Sequence, residues 1–233
     1  MDKTKKLLFN LLLGMLAFLP FHTAVTVWLG TKYGHLYVWS AWKECLIAVA
    51  VILAGYELLG NKKLLNLLWQ KTYNKLAAAY ILLLSIYVLS QKFSTVSIVG
   101  FALNARFILM FLVAQVLASH VTKTNINKLQ RAVIAVGAII ALLSVAQVFM
   151  LPKDLLMHIG YDGIGINTLG IPPAYHTVAS GSDVVRAQAT LRGPNVLGAY
   201  LLIPFFLLLE KYLRKPNNKK LITILLISFL IFT

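Results

Sequence analysis

Seven long apolar runs divide this chain, at about residues 7–29, 45–60, 76–90, 97–118, 132–151, 196–213 and 220–233. Most approach the ~20 residues that a helix needs to cross the hydrocarbon core of a bilayer. A helix pairs its backbone groups internally, whereas an open sheet leaves them unpaired in lipid, and none of these runs alternates as a barrel strand does. The expected fold is therefore all-α: a polytopic transmembrane helix bundle of about seven spans, forming a single transmembrane domain over 1–233. Composition agrees. A hydrophobic fraction of 59% and a mean hydropathy of +0.79 exceed what a soluble domain can bury.

The charges between the runs set the expected orientation. Seven crossings place the N-terminus and the connections near 61–75, 119–131 and 214–220 on one side, which with Lys211 holds 15 Lys/Arg. The other side holds six: Lys32, Lys43, Lys92, Lys153, Arg186 and Arg192. The richer side is expected in the cytoplasm, so the N-terminus is cytoplasmic. The net charge of +15 does not imply a nucleic-acid partner, because the basic residues sit between apolar runs and form no stripe on a soluble element. The single cysteine, Cys45, excludes an intramolecular disulfide framework and a cysteine zinc cluster, leaving packing as its expected role.

Lys3, Lys5 and Lys6 before an apolar run resemble the start of a signal peptide. The run continues past Pro20 to Trp28 with no clear cleavage site, so an uncleaved first span is expected. Segment 61–75 has leucines and Trp69 beside four lysines. It reads as an interfacial helix on anionic lipid or as a plain membrane anchor, and the plain anchor is the simpler reading. The last run stops at Thr233 with no polar flank, from which a longer protein is expected.

The one long polar stretch, 152–195, has six of the 14 glycines and four of the seven prolines. It is expected to be an irregular extracytoplasmic loop, of a length more often functional than merely connecting. Its end, Arg186 to Leu202, contains Gly193-Pro194-Asn195, a turn after which Asn195 is expected to cap a helix starting at Val196. A helix N-terminus with the guanidinium groups of Arg186 and Arg192 suits phosphate, and a bidentate Arg suits diphosphate. A capped helix with two solvated arginines is the plain alternative.

Arg106 lies inside a span, where an arginine costs from ~2.5 kcal/mol upward and usually faces a cavity or pairs with a partner. Snorkelling to the interface is its plain alternative. Asn104, two residues earlier, cannot share its helix face. His22 and Glu57 fall on opposite expected sides and cannot pair. His158 and His176, with Asp154, Asp162 and Asp183, share the loop, but their spacing fits no metal motif, and ordinary loop histidines are the favoured reading. Gly160, Gly163 and Gly165 follow no strand, so no nucleotide-cradling loop is expected. No cofactor is expected.

Arg186-Ala187, Thr190-Leu191 and Gly193-Pro194-Asn195, followed by Leu197-Gly198-Ala199-Tyr200 within a span, resemble the signature of the O-antigen ligase and polymerase superfamily. The resemblance covers mainly 97–210. Ala189 stands where a Gly is commoner, Leu191 where a Phe is usual, and Gly193 where His or Asn often precedes the Pro. The resemblance implies metal-independent glycosyl transfer at the outer face of a bacterial inner (plasma) membrane, from an undecaprenyl-diphosphate carrier to an acceptor glycan or lipid. Arg186 would hold the diphosphate, Arg106 would line the same cavity, and Arg192 and Asn195 would be further substrate-binding residues. The family's general base is commonly a His in a later outer loop, so no catalytic residue is assigned. The alternative expectation is a multi-span transporter or flippase for an anionic lipid or solute, with Arg106 in its pathway.

Overall fold

The computed structural model describes residues 3–163, 166, 168–174, 186–214, 221 and 224. Among these, all regular structure is helical: α1 (Lys3–Phe18), α2 (His22–Tyr33), α3 (Leu36–Ser40), α4 (Trp42–Gly60), α5 (Lys62–Trp69), α6 (Thr72–Ser90), α7 (Thr95–Ala118), α8 (Lys123–Phe149), α9 (Leu155–His158) and α10 (Pro194–Arg214). Among the described residues, six helical stretches are long and apolar enough to cross a membrane: Lys3–Tyr33, Leu36–Gly60, Thr72–Ser90, Thr95–Ala118, Lys123–Phe149 and Pro194–Arg214. They coincide with the first six apolar runs. The seventh run, 220–233, lies almost wholly outside the described residues.

The chain divides into two compact units. The first comprises residues 1–12 and 43–123. Its best-defined piece is the antiparallel pair α6 and α7, closed by a turn in which Lys92 and Phe93 take φ of 49° and 57° and Ser94 caps α7 by accepting from the Ser97 N–H. Two amides fasten the far end of the pair. Asn74 Nδ2 donates to Gln115 Oε1 at 2.9 Å while Gln115 Nε2 donates to Asn74 Oδ1 at 2.8 Å. Midway, the Tyr80 hydroxyl donates to Asn104 Oδ1. Paired polar groups of this kind spare each other an unsatisfied site in an apolar surround. Glu57, buried near the end of α4, meets Lys5 of α1 at 3.6 Å.

Residues 62–69 form a helix of their own. Asn61 accepts from the Leu64 N–H at 3.0 Å and so starts α5, a two-turn helix between the end of α4 and the start of α6.

The second unit comprises residues 13–42 and 124–233. Here the first span is broken: Leu19–Phe21 forms a tight 3₁₀ turn around Pro20, whose missing N–H interrupts the helical ladder. Helix α2 ends at Gly34 (φ 75°), and His35 (φ 57°) leads into α3. The core gathers Val136, Ile140 and Ala141 of α8, Leu197, Leu201 and Leu208 of α10, and Ala189 and Leu191 of the segment before α10. Gly137 lets α8 and α10 approach, since a Cβ there would lie 2.6 Å from Cβ and Cγ of Pro204. Close backbone approach at a small residue is the usual way for helices to pack where no water drives them together.

The loop after α8 is irregular, as expected, apart from the single-turn α9. Its described part is nevertheless well fastened. The Asp162 N–H donates to the Pro172 carbonyl, the Ala174 N–H donates to the Asp162 carbonyl, and the buried Asp162 carboxylate accepts from the Thr168 N–H.

Candidate functional site

The segment from Arg186 to Asn195 is fixed by hydrogen bonds from residues far away in sequence. Gln147, near the end of α8, accepts with its Oε1 from two successive backbone N–H groups, Gln188 at 3.1 Å and Ala189 at 2.7 Å. The Thr190 hydroxyl donates to the Pro20 carbonyl at 2.9 Å, an acceptor in the broken turn of the first span. The Tyr161 hydroxyl donates to the Thr190 carbonyl at 3.0 Å. Burial pushes the Tyr161 phenol well above its ordinary pKa, so it remains a proton donor at neutral pH. Gln188, fully buried, donates from Nε2 to the Pro173 carbonyl, while its Oε1 is buried without a hydrogen-bond partner among the described residues.

This anchoring explains a local oddity. Ala189 has φ of 49°, in the left-handed region that disfavours any residue with a Cβ by about 1–2 kcal/mol. The paired acceptor at Gln147 holds it there. A Gly at this place would meet the same backbone without that strain.

At the end of the segment, the helix begins two residues earlier than expected. Pro194 occupies the first helical position, where its lack of an N–H costs nothing, and the Leu197 N–H donates to the Gly193 carbonyl. Asn195 is consequently not the cap but lies in the first turn. Its Oδ1 accepts from Arg186 Nη2 at 3.1 Å. The structure thus brings together Arg186 and Asn195, with a neutral amide as the partner of the guanidinium. Arg192 is exposed. Among the described residues no carboxylate lies within ion-pair distance of either arginine.

Arg106 has a different setting. It belongs to the first unit, and its Nη1 donates to Glu44 Oε1 of α4 at 2.8 Å. Sequence reasoning left Arg106 without a named partner. The signal was present: the same alternation of spans puts the start of the second run and the first half of the fourth on one side.

The remaining candidates are placed as follows. His158 is exposed and turned back on its own helix, its Nδ1 3.0 Å from the Asp154 carbonyl oxygen. His22 packs edge-on against Trp42, with ring centroids 5.3 Å apart. His176 and Asp183 lie outside the described residues. No group of three potential metal ligands is found among the described residues. Gln147, Tyr161 and Pro20 were not singled out from the sequence as parts of the site. A glutamine at the end of an otherwise apolar run was the available signal.

Comparison of the chain with protein-family models, with curated proteins and with solved structures finds no match.

Proposed function

We propose that this chain is a multi-pass protein of a bacterial inner (plasma) membrane, with its N-terminus in the cytoplasm, that binds the diphosphate of a lipid-linked glycan for transfer to an acceptor. The reaction class is that of the O-antigen ligases and polymerases, suggested by the resemblance over 186–200. The observation that carries it is Arg186, which donates to the neutral amide of Asn195 in the first turn of α10 and has no carboxylate within ion-pair distance among the described residues. A guanidinium so placed retains its charge for an anion, and two donor edges suit a diphosphate.

In the proposed reaction an acceptor hydroxyl oxygen forms a bond to the anomeric carbon of the carrier-linked sugar. The bond from that carbon to the diphosphate oxygen breaks, and the hydroxyl proton passes to a general base. Negative charge grows on the departing carrier diphosphate, and a preorganised cation in a site of low polarity stabilises it. Arg186 takes that role, with Asn195 as a positioning residue. Arg192 stands close in sequence as a second, solvated cation.

The alternative, transport of an anionic lipid or solute, is favoured by the Arg106–Glu44 pair, because ionisable pairs inside spans often mark pathways. One experiment separates the two. In cells making the native glycan, Arg186→Ala is expected to abolish glycan transfer to the acceptor while carrier-linked glycan accumulates at the outer face, and Arg186→Lys is expected to retain a fraction. Unchanged transfer in Arg186→Ala, with carrier-linked glycan or solute retained on the wrong side of the membrane, overturns the transferase reading.

A further inference from the structure

Helix α5 borders two recesses within the first unit, of which one carries lysines and the other none. One is a cleft of about 660 Å³ lined by Lys62, Lys63, Asn66 and Gln70 of α5 and its flank together with Leu64 and Leu67, and by Ser119 and His120 after α7. The other is a groove of about 470 Å³ lined by Leu65, Leu68 and Trp69 on α5, with Leu58, Ile81 and Leu109 from α4, α6 and α7. At 100° per residue, positions 62, 63, 66 and 70 fall within one arc of the helix, and the leucines with Trp69 take up the rest. The polar side chains of α5 thus occupy one arc of an otherwise apolar helix.

The position of α5 says where these sides lie. It links the end of one apolar span, Gly60, to the start of the next, Thr72, so it lies level with span ends. An amphipathic helix there places its leucines and Trp69 toward acyl chains and its lysines toward headgroups. Segment 61–75 has four lysines and no acidic residue. The amide, hydroxyl and ammonium groups of the cleft offer donors to phosphate oxygens. His120 adds a buried Nε2 with no hydrogen-bond partner among the described residues.

We infer that the cleft between α5 and the α7–α8 connection binds the headgroup phosphate of an anionic membrane lipid, with Lys62 and Lys63 as its charged contacts. A lipid, and not a free anion, is the occupant because leucines line the cleft beside its lysines and the rest of the same helix is apolar, which suits acyl chains. The site is independent of the glycan reading, belonging to the other unit and to the other expected side of the membrane.

The test uses the full chain in detergent, titrated with phosphatidylglycerol or phosphatidylcholine and followed by native mass spectrometry. The unaltered chain should retain phosphatidylglycerol preferentially. Replacing both Lys62 and Lys63 by Gln should weaken that retention by roughly 30-fold, each interfacial lysine contributing a factor of about five. Replacing Lys71 and Lys75 by Gln, which removes equal charge from the same segment outside the cleft, should leave it within about twofold. Equal loss in both pairs would reduce the effect to diffuse attraction and overturn the site. Retention unaffected by the Lys62/Lys63 pair would overturn it too. Displacement by inorganic phosphate as readily as by phosphatidylglycerol would overturn the lipid as occupant.

Discussion

The two arginines that stand out in this sequence end in opposite electrostatic settings. Arg106, within a span, is matched by the Glu44 carboxylate at 2.8 Å, so charge meets charge. Arg186, in the segment before α10, is matched by a neutral amide at 3.1 Å, with no carboxylate within ion-pair distance among the described residues. The first arrangement satisfies a cation in an apolar surround; the second keeps one available. An arginine near a membrane therefore says little by itself about binding, and the identity of its partner says much more.

The contrast can be broken or sharpened by substitution. The largest expected effect is on the proposed activity: if the chain transfers a glycan, Arg186→Ala should lower that transfer by roughly 10²–10³-fold, the scale of losing one positioned donor to a developing negative charge. Its melting temperature should stay near that of the unaltered chain. Next, Gln147→Leu deprives two buried N–H groups of their acceptor. At about 1–3 kcal/mol for each buried group left unpaired, it should lower thermal stability markedly and transfer with it. Retained stability would mean that the Arg186 segment is not held from α8.

Glu44→Ala should cost as much as about 2.5 kcal/mol by leaving Arg106 alone in its span. Replacing both Glu44 and Arg106 by Ala should recover most of that loss in a double-mutant cycle, whereas additive losses would show that the two do not act as a pair. Gly137→Val drives a side chain into Pro204 and should cost about 1–3 kcal/mol, read as a lower melting temperature. The smallest effect belongs to Ala189→Gly. Relief of left-handed strain and the extra freedom of glycine oppose each other, so stability should move by less than about 1 kcal/mol.

A pH titration adds a check on the first unit. Burial first, and then the Lys5 ammonium, lower the pKa of His120, with Glu57 opposing them. The folded state thus prefers the neutral imidazole. That contribution is present above the ordinary histidine pKa and is lost as pH falls through the lowered one. His120→Gln should flatten this part of the stability profile.

Much of the architecture was legible because span length and apolar content are local properties. The six runs from 7–29 to 196–213 reappear as helices, and the glycine- and proline-rich 152–195 is mostly irregular where it is described. What escaped was whatever depends on distant partners. Asn195 was expected to cap a helix because an asparagine after proline favours a turn, but Pro194 suits the first helical position so well that the helix starts there. The Glu44 partner of Arg106 is 62 residues away, and the Gln147 acceptor for Ala189 is 42 residues away. No window of local pattern contains both members of either pair. Segment 61–75 was legible as basic and amphipathic, but its division into a polar cleft and an apolar groove required α7 to be in place.

The bond from Thr190 to Pro20 also has a consequence for biosynthesis. Its partners are 170 residues apart, so at about 5–20 residues per second the ribosome delivers the hydroxyl roughly 10–30 s after the carbonyl. During that interval the broken turn of the first span must find a temporary donor, from water, lipid headgroup or the insertion machinery. The Arg186 segment can take its final shape only when that donor is displaced, which ties completion of the site to a late step of assembly.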